Sequence, residues 1–243
     1  MSKLRERLRG AMRRGGGPLG FGSPGRNAGA RRHLVVMTAV ADAEAARAAA
    51  EAGADALLFE GALDGLAAAV QAAPDVPVGC RVDAATAADA KRVADAGADF
   101  FVFDDARTDA AALLDRRLGH VLQLPEAAPD DDYLRLLQPL DLDALLLPVG
   151  AVEMTVREQL QTRRIAQLAW KPLIVPVDPS ASAALLEIWR NAGAPIVLVS
   201  RDDAPRVAQL LETATAVPPP HEPNDERPHP LLPRSAAPGR PDD

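Results

Sequence analysis

Short runs of β-branched, leucine or phenylalanine residues alternate with alanine-rich stretches eight times along this chain of 243 residues. The runs read as continuous apolar segments rather than as alternating ones, the pattern of parallel strands covered on both faces. They predict strands at 34–39, 55–60, 77–82, 99–104, 120–124, 143–148, 172–177 and 195–200. The stretches between them predict helices near 42–52, 62–73, 85–96, 108–117, 130–138, 154–168, 181–192 and 203–214. Three helices end in the same words, Ala52-Gly53-Ala54-Asp55, Ala96-Gly97-Ala98-Asp99 and Ala192-Gly193-Ala194-Pro195. A glycine there suits the left-handed residue that terminates a helix, because it has no Cβ to clash. Glu60, Asp104 and Pro148 are spaced by 44 residues, and Pro77 to Asp83 aligns with Pro172 to Asp178. Eight strand–helix units with an internal period predict the α/β class and a single (β/α)8 TIM barrel, with function at the C-terminal ends of the strands.

Composition narrows the setting. The chain is 48% hydrophobic, enough for one core. No segment approaches the roughly 20 apolar residues of a membrane span, and Met1 to Arg14 lacks the apolar centre of a secretory signal. One cysteine, Cys80, leaves no internal disulfide. These features fit a cytoplasmic protein of bacterial type. Aromatics at 3% offer no platform for stacking bases.

Charge divides the chain into three parts: a basic, glycine-rich arm over 1–32 (+8), the barrel over 33–216 (−13) and a tail over 217–243 (−2). The acidic barrel repels nucleic acid, which leaves only the arm for a polyanion or for folding back on the barrel. Leu4, Leu8 and Met12 put one apolar stripe on a charged helix that suits the barrel floor. Gly15 to Gly25 reads as a tether, since no Gly-Lys-Ser/Thr ends it. The tail, with nine prolines and little apolar surface besides Leu231 and Leu232, reads as disordered.

Strand ends and the loops after them supply the candidate chemistry: Thr38, Asp42, Glu60, Arg81, Asp83, Asp104, Asp105, Gln123, Glu126, Glu153, Asp178, Ser200 and Arg201. Strands two, three and four are neighbours, so Glu60, Arg81, Asp83 and Asp104 are expected together. In one reading Glu60, Asp83 and Asp104 are catalytic acids or oxygen ligands to Mg²⁺, while Arg81 and Arg201, with Ser200 and Gln123, hold an anionic substrate. In the other, Arg81 only neutralises crowded acids, and several of these serve as helix caps: Asp178 before Pro179, Asp83 or Thr86, and the Thr155/Glu158 pair.

Absences restrict the reaction further. The three lysines, Lys3, Lys91 and Lys171, lie in the arm, outside a helix and at the barrel bottom, which excludes a Schiff-base aldolase. His33 and His120 start strands, and His221 and His229 are in the tail, so no histidine serves as base or zinc ligand at the mouth.

The phrase Ala-Glu-Ala-Gly-Ala-Asp-Ala-Leu-Leu-Phe-Glu-Gly, Ala50 to Gly61, resembles the helix-to-strand turns of aldolase-type TIM barrels. It is similar in particular to phosphate-binding barrels and to flavin-dependent ones such as nitronate monooxygenases. The resemblance implies the fold over 34–214, and a phosphate site in the loops after strands seven and eight. Here those loops are Asp178-Pro179-Ser180-Ala181-Ser182 and Ser200-Arg201-Asp202-Asp203, acidic and without glycine.

Three functions remain open. The first is a lyase, aldolase or isomerase acting on a small carboxylated or phosphorylated metabolite, with or without Mg²⁺. The second is a non-catalytic barrel that binds a metabolite or a partner, a second copy of itself included. The third is a flavin-dependent oxidoreductase carrying FMN.

Overall fold

In the computed structural model, which describes residues 2–12 and 32–220, eight parallel strands close into a barrel in strict chain order, β1 pairing with both β2 and β8. They are β1 Val35–Val40, β2 Ala56–Phe59, β3 Val78–Arg81, β4 Phe100–Asp104, β5 Gly119–Gln123, β6 Ala144–Leu146, β7 Leu173–Val177 and β8 Ile196–Val199. Helix α1, Lys3–Met12, precedes the barrel. Helices α2 (Ala43–Ala52), α3 (Leu66–Ala72), α4 (Ala87–Asp95), α5 (Asp131–Leu136), α6 (Val156–Ala169), α7 (Ala183–Ala192) and α8 (Val207–Thr215) follow their strands around the outside. The glycine-rich linker and most of the proline-rich tail lie outside the described residues. Among the described residues no helix is long and apolar enough to cross a membrane.

Alternate residues of every strand face two different cores. Val35, Met37, Leu58, Phe100, Val102, Val121, Leu146, Ile174 and Ile196 fill the barrel interior. Their neighbours in sequence, among them Val36, Phe59, Phe101, Leu122, Leu145 and Val197, pack against the helices. Both sets are almost fully buried, which explains the unbroken apolar runs. Gly79 faces inward beneath Phe100, whose ring occupies the space any Cβ would need.

Gly53, Gly97 and Gly193 adopt φ of +97°, +85° and +105°, as the repeated helix endings require. The fourth crossover departs from expectation. In place of a helix over 108–117 there is one 3-10 turn, Ala110–Leu114. Asp109 caps it through the Ala111 N–H at 3.1 Å, and Asp115 and Arg117 then fold onto each other through three hydrogen bonds. Only five residues stand between those turn-forming aspartates, too few for a second helical turn.

Helix α1 closes the floor. Leu4 is 1% exposed within the interior core, and Leu8 and Ala11 pack beside it, while Met12, expected on the same stripe, is 43% exposed. Three aspartates that precede the even strands receive the chain's N-terminal part. Asp99 accepts the N–H groups of Lys3 and Leu4 at 2.7 and 2.8 Å. Asp143 pairs with Arg5 and accepts the Ser2 hydroxyl. Asp55 pairs with Arg32 at 2.6 Å and also accepts the Val36 N–H. Gly119 faces Asp143 and Ser2 closely enough that a Cβ would displace them.

Candidate functional site

At the opposite end of the barrel, the inward positions that end β2 to β5 are polar. Phe59 pairs with Cys80 in register, so the next residues, Glu60 and Arg81, stand side by side. Asp104 and Gln123 pair directly at the ends of β4 and β5. Inward parity thus brings four of the expected residues to one rim. Cys80 points the other way, among the helices, where burial pushes its thiol up to about 12 and leaves it unreactive.

Glu60 and Arg81 form the centre of this rim. Arg81 Nε lies 3.2 Å from Glu60 Oε1, and the side chains are 30% and 25% exposed for Arg81 and Glu60, respectively. The contact is an ion pair rather than an aligned hydrogen bond: Nε is buried and has no hydrogen-bond acceptor. A guanidinium held on one side by a carboxylate keeps donors for a second anion.

The remaining acids are committed to their own loops. Asp104 Oδ1 accepts the N–H groups of Ala106 and Arg107 at 2.9 and 3.1 Å, and Oδ2 faces Arg107 at 3.5 Å. Asp83 is exposed in the loop beyond β3. Among the described residues no three His, Cys, Asp or Glu side chains gather closely enough to hold a metal ion. The expected metal set of Glu60, Asp83 and Asp104 is corrected accordingly, because Arg81 takes Glu60 and the loop amides take Asp104. Asp105 accepts the Tyr133 hydroxyl at 2.6 Å and ties the β4 loop to α5. Burial and that carboxylate raise the Tyr133 phenol above its ordinary range.

Across the mouth, Ser200 donates to Asp203 at 2.9 Å and lines a cavity of about 260 Å³ with Pro176, Asp178, Leu198 and Gly150. Glu60 and Arg81 do not line it. Arg201 is exposed, 3.8 Å from Asp202. Thr38 does not reach the mouth: it shares the helix-facing parity of Val36 and Val40 and is wholly buried.

Helix caps explain several other candidates. Asp42 caps α2 through Ala45 N–H at 2.8 Å. Thr86, with Asp89, forms the capping box of α4, and Thr155 with Glu158 that of α6. The cap of α7 is Ser182, not Asp178. Asp178 instead accepts the N–H and hydroxyl of Ser180 at 2.7 and 2.6 Å, which hold its carboxyl below the usual range. Proline at the next position had pointed to Asp178, but Ser182 lies where the first free helical N–H groups emerge. Asp203 makes no side-chain cap and receives Ser200 instead.

Sequence reasoning did not single out the floor residues Asp55, Asp99 and Asp143 as a set. Their spacing of 44 residues, the same as that of Glu60, Asp104 and Pro148, carried the signal.

No protein-family model and no curated protein matches the chain. Solved structures do. An HpcH/HpaI aldolase from Desulfitobacterium hafniense is 19% identical over 75% of this chain and 90% of its own, with a TM-score of 0.55. A 2,3-dimethylmalate lyase of the PEP mutase/isocitrate lyase superfamily is 16% identical over 80% and 87%, with a TM-score of 0.53. Thiamine phosphate pyrophosphorylase from Pyrococcus furiosus is 14% identical over 76% and 96%, with a TM-score of 0.56. At these identities the likeness is one of fold, that of the aldolase-type TIM barrel.

Proposed function

We propose that the barrel mouth binds a small carboxylated or phosphorylated metabolite through Arg81 and that Glu60 moves a proton on it, as a lyase, aldolase or isomerase. The observation that carries this reading is the half-exposed Glu60–Arg81 pair at 3.2 Å on the inward face of adjacent strand ends. The fork of Arg81 would hold the substrate's anionic group, and Glu60 would abstract the proton next to the carbonyl or carboxylate. The enolate-like charge that follows would then develop beside the same guanidinium, where a fixed cation stabilises it. Gln123 and Ser200 would supply neutral hydrogen bonds. No step runs through a metal, since Asp83 and Asp104 do not join Glu60 as ligands. Among the similar structures are an aldolase and a lyase, which is consistent with this chemistry but does not carry it.

One observation favours a second reading, a barrel that binds without reacting. Asp104, Asp178 and Asp203 all spend their carboxylates on their own loops. Calorimetric titration with pyruvate, malonate and inorganic phosphate, together with proton exchange at pyruvate C3 followed by NMR in D2O, separates the two. The proposal expects binding that Arg81→Met abolishes, and exchange that Glu60→Gln abolishes while binding persists. Binding without exchange selects the second reading. Binding unaffected by Arg81→Met removes both.

A further inference from the structure

Helix α6 is the one crossover helix whose outer face is apolar near its N-terminus. Its inner face is well seated: Thr162 and Ala169 are buried, and Ile165 and Ala166 pack against the core. Outward, Val156 and Leu160 are 73% and 62% exposed, and Val149 and Val152 in the preceding loop are 72% and 82% exposed. Val156, Leu160 and Arg163 follow the spacing i, i+4, i+7 and so form one stripe. A shallow groove of about 440 Å³ runs along it, lined by Val156, Arg157, Leu160, Gln161 and Arg164. A cluster of four large apolar side chains left open to water on one surface marks an interface.

We infer that this stripe is the contact surface of a homodimer, in which α6 packs antiparallel against α6 of a second copy. A two-fold axis brings each position of the stripe opposite a fixed counterpart. With the axis at the level of Glu158, Val156 meets Leu160 of the other copy, and Arg163 meets Glu153. The register therefore joins apolar to apolar and cation to anion with one choice of axis. Arg163 and Glu153 are both exposed, and neither has an ion pair within its own chain among the described residues. A basic stripe on a chain of net charge −7 also favours a partner that is itself acidic, which a second copy is. The inference is independent of the reaction proposed for the mouth.

Sedimentation velocity on the full-length chain between about 1 and 100 μM tests the inference, because a dimer must respond to concentration by mass action. A dimer is expected, with Leu160→Glu raising its Kd at least ~100-fold by placing a charge at the centre of the contact. The exposure of Leu160 lets this variant keep its fold, checked by circular dichroism. Arg163→Glu and Glu153→Arg should each raise Kd about 10-fold, and the doubly swapped protein should return to within about 3-fold of the parent. A chain that stays monomeric throughout the range, or a dimer indifferent to Leu160→Glu, overturns the inference. Failure of the double swap to restore association overturns the antiparallel register.

Discussion

The carboxylate of Asp99 accepts the backbone N–H of Leu4 at 2.8 Å, so the residue that leads into β4 also caps the helix that closes the barrel floor. The Lys3 N–H reaches the other oxygen at 2.7 Å. Leu4 is then held 1% exposed inside the barrel. This geometry makes α1 part of the cooperative fold. Leu4→Ala should cost about 2–4 kcal/mol through lost burial and the cavity left behind. Asp99→Ala should cost about 1–2 kcal/mol through two orphaned N–H groups. Urea unfolding reads both, and midpoints equal to the parent's would mean that α1 only rests on the floor.

Two glycines with similar backbone angles should respond differently to the same change. At Gly53, with φ of +97°, a Cβ meets nothing within 4 Å. At Gly193, with φ of +105°, it collides with the Ala166 side chain. Gly53→Ala should therefore cost about 1 kcal/mol, the conformational strain alone. Gly193→Ala should cost clearly more, because the packing of α6 against α7 must also shift. Thermal melts of the pair decide it, and equal losses would show that only the backbone matters.

Trp170 ends α6 at φ of +54°, the only non-glycine among the described residues with a positive φ, and is 76% exposed. Its side chain gains little from burial while its backbone is strained. Trp170→Gly is expected to stabilise the protein by up to about 1 kcal/mol. A lower melting temperature would indicate that the indole makes contacts worth more than the strain.

Acid should loosen helix caps before it reaches the core. The Thr86 hydroxyl and then its N–H hold the Asp89 carboxyl below the usual range, and Arg5 does the same for Asp141. A carboxyl lowered in the folded state stabilises fully above its unfolded value near 4, and that contribution fades as pH falls through the lowered value. Both groups are largely exposed, so each effect is small after solvent screening. Urea midpoints should be flat from pH 7 to about 5 and fall below about 4. Thr86→Ala should lower the midpoint at neutral pH, by about 1 kcal/mol in stability, and reduce the acid slope. An unchanged slope would show that the capping box does not contribute to acid sensitivity.

Much of the architecture could be read from local pattern. The eight strands fall within two residues of their expected bounds, because each is a buried apolar run closed by a turn signal. The inward parity of Glu60, Arg81, Asp104 and Gln123 was legible for the same reason, since alternation along a strand decides which way a side chain points. The fourth crossover was not, because Ala110–Leu114 has helical propensity but too little length between flanking aspartates. Local pattern also placed the α7 cap at Asp178, when the decisive fact was where the helical N–H groups begin at Ser182.

The chain by itself thus determined the closed (β/α)8 barrel, its two cores and the ring of residues at its mouth, because these follow from periodicity and from the sterics of each turn. Tertiary structure alone decided how the carboxylates are spent. Asp104 turns to its loop amides, Glu60 to Arg81, and Asp99 and Asp143 to the helix beneath the barrel. A carboxylate takes whichever donor is brought nearest in three dimensions, and residues 95 to 140 positions apart supply those donors at the floor.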